Sequence, residues 1–172
     1  MCIKQSVKQN FYDESPLGNS EMTKAIVIYH TQFGNTEKIA KEVALGMDEQ
    51  GIDVDCIKVE EVQIDKLKGY DLLAIGGPTH GFGISKPMKK FIENLENVDL
   101  QGRNAFAFDT KTGSRFWGSA AKGIEKKLKR FGLNIVKPCV SAIVKGLKGP
   151  LQDGMEVKFT QIGTDIATLL HR

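Results

Sequence analysis

Seven residues, His30-Thr31-Gln32-Phe33-Gly34-Asn35-Thr36, carry two hydroxyls, a glycine able to take a positive φ, and no lysine. They lie between an apolar run, Ala25 to Tyr29, and a stretch in which Ile39, Val43 and Met47 recur every four residues. That pattern predicts a buried strand, a tight loop and a helix from about Thr36. A helix start leaves its first backbone N–H groups without intrahelical acceptors, and they point into the loop with the positive end of the helix dipole. Together with the hydroxyls of Thr31 and Thr36, such donors suit an anion, most of all a phosphate monoester. A capped helix after a strand is the plainer reading of the same residues, because Ser and Thr caps are common.

Two more stretches stand out. Gly76-Gly77-Pro78-Thr79-His80-Gly81-Phe82-Gly83-Ile84-Ser85 is rich in glycine and follows a second apolar run, Leu72 to Ile75. Asp109 to Ala120 follows a third, Asn104 to Phe108, and holds the only tryptophan, Trp117, just before an Ala-rich helix start. The plainer readings are a tight glycine-rich crossover with a solvent-facing His80, and a Trp117 packed against the next helix.

The elements around these loops alternate. After the first helix, Gly51 is a candidate cap, Val54 to Val59 a second strand, and Ile64, Leu67 and Tyr70 a short helix. Asp71 to Gly76 reads as the third strand and Lys86 to Glu96 as a helix with Pro87 in its first turn. Asn104 to Phe108 is the fourth strand, Ser119 to Phe131 a helix with lysines outward, Ile135 to Val144 the fifth strand, and Met155 to His171 the last helix, with Phe159, Ile162, Ile166, Leu169 and Leu170 inward. Gly146 to Gly154 reads as a connecting turn. Such β-α alternation implies a parallel sheet with right-handed crossovers, and ligands bind beyond the C-terminal ends of its strands.

Length and composition fit one domain with a full core. Residues 1–21 are polar, contain Pro16 and Gly18 and show no sustained period, so they are expected to be a disordered extension, with the domain proper spanning 22–172. Deleting them is expected to leave stability and cofactor binding unchanged. No run is long enough to cross a bilayer and the N-terminus has no apolar signal core, which predicts a cytoplasmic protein without membrane contact. Cys2, Cys56 and Cys139 lack metal-ligand neighbours, so no metal site or disulfide framework is expected, and Cys56 and Cys139 read as core thiols. A net charge of +3 with no recognition motif argues against nucleic acid. No Gly-Lys-Ser/Thr follows the first strand, against a P-loop hydrolase. That strand ends in Tyr29-His30, without the acidic pair that a phosphoacceptor receiver domain needs.

The pattern Thr31-x-Phe33-Gly34-Asn35-Thr36 after an apolar strand resembles the FMN-phosphate loop of flavodoxin-like proteins, usually Thr-x-Thr/Ser-Gly-x-Thr. Phe33 replaces a hydroxyl residue there. Gly77-Pro78-Thr79 resembles the family's flavin-contacting Ser/Gly-Pro-Thr loop, and Phe108 to Ala120 its third flavin loop. The resemblance covers Lys24 to Arg172 and implies a three-layer α/β/α fold with a five-stranded parallel sheet in the order 2-1-3-4-5. Flavodoxin, with FMN at the switch between strands one and three, is the standard illustration of ligand placement in such sheets. No visible insertion splits the fifth strand, so the chain resembles the short form.

The cofactor implied is FMN, held by Thr31, Gln32, Phe33, Gly34, Asn35 and Thr36 at its phosphate. Pro78, Thr79, His80, Gly81, Phe82, Asp109, Thr110, Phe116 and Trp117 would lie at its ribityl chain and ring. Thr79 would contact the flavin through its hydroxyl and backbone, Trp117 or Phe116 would stack, and a carbonyl near Gly81 would accept a hydrogen bond from reduced N5. No catalytic side chain is required. The resemblance implies an electron-transfer protein working between redox protein partners, as a monomer or homodimer. An FMN-dependent NAD(P)H:quinone or small-molecule reductase is the alternative. Unlike the acidic proteins usual in this family, the chain is slightly basic, and Lys86, Lys111 and Arg115 beside the flavin loops should raise the potential of the anionic reduced flavin.

Overall fold

The computed structural model describes residues 22–81, 83–114 and 118–172. The unbroken apolar runs become the inner strands of a mainly parallel sheet. β1 (Lys24–Tyr29) lies between β2 (Asp53–Lys58) and β3 (Leu72–His80), and β3 pairs in turn with β5 (Asn104–Thr112). Successive side chains of such strands must be buried on opposite faces. Ala25, Val27 and Tyr29 accordingly join one core with Leu72, Ala74, Phe106 and Phe108, while Ile26 and Ile28 join the other with Leu73, Ile75, Ala105 and Ala107.

Helices cover both faces. α1 (Asn35–Asp48) and α4 (Met155–Leu170) fill the first core through Ile39, Val43, Met47, Phe159, Ile162 and Ile166. α2 (Lys86–Leu95) and α3 (Ala120–Arg130) fill the second through Met88, Phe91, Ile92, Leu95, Ile124 and Leu128. Leu169, expected inward, is 40% exposed because the buried face of α4 is drawn through Gly163 and Ala167 instead. Among the described residues no helix is long and apolar enough to cross a membrane.

Three differences from the sequence expectation bear on the site. β3 continues four residues past Gly76 and turns back through the short antiparallel strand β4 (Gly83–Ile84), so the glycine-rich stretch is a strand end and hairpin. β5 likewise runs on to Thr112. The fifth strand is interrupted: β6 (Asn134–Ile135) and β7 (Val140–Val144) both pair parallel with β5. From Ile135 to Val140 the chain advances five residues while β5 advances three, from Ala105 to Phe108. Pro138 lies in the break, and a residue without an N–H cannot continue the ladder. With β6 and β7 taken as one broken strand, the parallel strands lie in the order β2-β1-β3-β5-β6/β7, which is the expected 2-1-3-4-5 once the antiparallel β4 is left out of the count.

Candidate functional site

The strand β1 delivers the chain to the C-terminal edge of the sheet, where His30 N–H donates to the Gly76 carbonyl (3.1 Å) as the last tie to β3. Gly34 then takes φ +84° and its N–H donates to Thr31 Oγ1 (3.0 Å), which turns the backbone into α1. That left-handed conformation suits glycine because a Cβ would meet the following carbonyl oxygen. The first bond of the helix, Lys38 N–H to Gly34 O (3.1 Å), leaves the N–H groups of Asn35 and Thr36 without a helical acceptor. Among the described residues no side chain caps this end of the helix.

The helix start forms one wall of a cleft of about 480 Å³, within the range of small-molecule and cofactor sites. Thr31, Gln32, Phe33, Asn35 and Thr36 supply that wall. Pro78, Thr79, His80 and Gly81, at the end of β3, supply the second. Thr110, from β5, completes the set of expected residues that meet there. Gly34 and Asp109 do not line the cleft, and Phe82, Phe116 and Trp117 lie outside the described residues, as does Arg115.

Two expected contacts are engaged within the protein. Thr36 Oγ1 is buried and shares a 2.8 Å hydrogen bond with Thr110 Oγ1, tying α1 to β5 beneath the cleft. Thr79 Oγ1 donates to Asp109 Oδ2 (2.9 Å) and accepts from the Ala120 N–H (2.9 Å). Asp109, fully buried, stands behind the cleft at the start of α3, where its Oδ2 also receives the Ser119 hydroxyl (2.7 Å) and the Ala121 N–H (3.0 Å). A carboxylate at a helix N-terminus is favoured by the helix dipole. Thr79 therefore fixes the end of β3 with its hydroxyl and faces the cleft with the rest of the residue.

His30 is held by a 2.9 Å contact between Nδ1 and Ser85 Oγ and lies edge-on to His80, with ring centroids 6.4 Å apart. Burial lowers its pKa, the neighbouring His80 lowers it further, and Glu60 opposes both. Cys56 and Cys139 lie outside the cleft, and burial pushes both thiols up to about 11, so neither is a nucleophile at neutral pH.

The cleft also contains residues that no sequence expectation assigned to it: Thr112, Val144, Leu147 and Lys148, with Lys111 named earlier only for its charge. The signal for them was positional, since the turn after the fifth strand leaves the same edge of the sheet as the other loops.

The Flavodoxin family model matches residues 27–161. The chain belongs to the flavodoxin family. It is 31% identical over 120 residues to a flavodoxin of Maridesulfovibrio salexigens, an alignment that covers 67% of this chain and 82% of the relative. A solved archaeal flavodoxin superposes with a TM-score of 0.75 at 27% identity, covering 87% of this chain and all of the other. A putative diflavin flavoprotein of Nostoc is 29% identical over 97% of this chain, which spans 29% of that longer protein. Flavodoxins bind FMN and transfer electrons between redox partners, and this chain is an electron-transfer protein of that kind.

The residues present fit the cofactor. An uncapped helix start with unpaired N–H groups and the Thr31 side chain suits the phosphate, and the cleft beyond it, walled by the ends of β3 and β5, suits a flat ring.

Proposed function

We propose that the FMN phosphate binds at the start of α1 and that the ring lies between the β3 hairpin and the end of β5. The observation that supports this reading is the convergence of the uncapped α1 start and the strand ends of β3 and β5 on one cleft. Bound FMN supplies one- and two-electron redox chemistry. The backbone N–H groups of Asn35 and Thr36 hold the phosphate in this reading, and the Thr36–Thr110 bond keeps them at a fixed distance from β5. Gly81, at φ +58° on the hairpin turn, has no heavy atom within 4 Å of where a Cβ would be. The left-handed φ at this turn is one that glycine adopts without the strain of a side chain. The partners are redox proteins, and the working location is the cytoplasm.

The amount of net positive charge near the ring sets the direction of one effect. Lys111 lines the cleft, and an ammonium there favours an anionic reduced flavin. Anaerobic spectroelectrochemistry of the purified protein is expected to resolve two one-electron steps, and Lys111→Glu to make the second potential more negative. Direct passage to the two-electron-reduced state, with steady NAD(P)H oxidation in the presence of a quinone, would replace the carrier with the reductase. An unchanged or raised second potential in the variant would remove Lys111 from the flavin's surroundings.

A further inference from the structure

The turn after β7 reaches over the start of α1. Asn35 Nδ2 donates to the Lys148 carbonyl oxygen (3.0 Å), which latches the turn to the first loop. The approach is close: a Cβ at Gly149, whose φ is +103°, would stand 2.7 Å from the Asn35 side-chain amide and displace it. Latched in this way, the turn sets Lys148 Nζ 5.9 Å from the centroid of the Phe33 ring, within the range of a cation–π contact. Phe33 is the residue that replaces a hydroxyl in the phosphate-loop pattern. Lys145, on the same turn, is paired with Asp153 at 2.9 Å, whereas Lys148 has no carboxylate partner within ion-pair distance among the described residues. Both Phe33 and Lys148 line the cleft.

We infer that Lys148 is a phosphate-recognition residue: its ammonium, steered by the Phe33 ring and the Asn35 latch, supplies the charge contact that compensates for the hydroxyl missing at position 33. This rests on the FMN reading of the cleft. A phosphate monoester carries between one and two negative charges at neutral pH, and the α1 N–H groups neutralise that charge only in part. An exposed lysine beside such a group adds selectivity for the phosphorylated form of the flavin over the form without phosphate. Because the pair is open to solvent, salt must screen it.

The test is the affinity of the full chain, freed of flavin, for FMN and for riboflavin, read by quenching of flavin fluorescence at low and high salt. For Lys148→Gln the FMN affinity is expected to fall about three- to fivefold at low salt, with riboflavin unchanged, and the difference to vanish at high salt. Lys148→Arg is expected to keep the preference, and Lys66→Gln, at an exposed lysine outside the cleft, to leave the ratio of the two affinities as it is. Equal weakening of FMN and riboflavin in Lys148→Gln, or no change in either, overturns this inference alone. Failure of the unaltered chain to bind either flavin overturns the FMN reading and this inference with it.

Discussion

The Thr36–Thr110 contact joins the hydroxyls of two buried residues, one donating and the other accepting. Removing one leaves the other without that partner, which costs about 1–3 kcal/mol, while removing both leaves no unpaired hydroxyl. Thr36→Val and Thr110→Val should each lower the unfolding free energy in urea by that amount, and the double variant by less than the sum. Additive losses would mean that the two hydroxyls act separately. His30 gives a pH dependence of known sign. Its folded pKa lies below its unfolded value near 6.5, so the unfolded chain binds more protons in that window. The stability contributed by neutral His30 is present above about pH 6.5 and is lost as pH falls through the folded pKa. Thermal unfolding between pH 7.5 and 5 should therefore show a decline that His30→Gln flattens; a parallel decline in the variant would assign it to other groups. The first loop could be read from sequence because its chemistry is local, with Thr31, Gly34 and Thr36 all within one turn. Lys148 could not, since 113 residues separate it from the Asn35 amide that fixes it.

At the scale of elements, α1 and α4 pack with their backbones in close approach. A Cβ at Gly46 would stand 2.0 Å from the Thr160 carbonyl oxygen, and one at Gly163 would stand 2.2 Å from that of Val43. Both glycines therefore let two backbones touch, and Thr164 Oγ1 uses the proximity to donate to the Gly46 carbonyl (3.4 Å). Gly46→Ala must push the helices apart, at a cost of about 3 kcal/mol and a fall of roughly 6–12 °C in Tm. Gly69→Ala, with open space around its would-be Cβ, should change Tm little and serves as the comparison in the same calorimetric series. An equal effect at both positions would indicate helix propensity or chain entropy rather than contact. Sequence periodicity found each helix by its apolar stripe, because burial of one face writes itself into the spacing. It did not find the break between β6 and β7. The apolar character continues through Val136 and resumes at Val140, so only Pro138 marked the interruption, and how the register resumes depends on β5. The overrun of β3 and β5 was hidden for a related reason. Pro78, Thr79 and Lys111 lack the apolar pattern of the inner strand, and their extended conformation comes from pairing, Pro78 with Thr110 of β5, Thr79 with Ile84 of β4 and Lys111 with Ile143 of β7.

For the whole molecule, the two cores lie on the faces of the sheet and the cleft lies at its edge, so ligand binding and core packing are carried by different residues. Segments around 31–36, 78–81, 110–112 and 144–148 come from four separate parts of the chain and line one cleft, so a ligand that filled it would touch all of them at once. Binding to the folded state alone stabilises by mass action, about 2.7 kcal/mol at a free ligand concentration one hundred times Kd. Amide exchange can show where that energy acts. Amides that exchange only through global unfolding, such as those at the centres of β1 and β3, should slow about a hundredfold under those conditions. Amides of the four cleft segments should slow as well, because opening them requires the ligand to leave. Amides that exchange by local fraying far from the cleft, such as those in the last turn of α2, should keep their rates with and without FMN. Slowing at 31–36 and 78–81 with unchanged fast exchange at 144–148 would separate the β7 turn from the site; slowing in the last turn of α2 would mean that FMN alters the fold beyond the cleft.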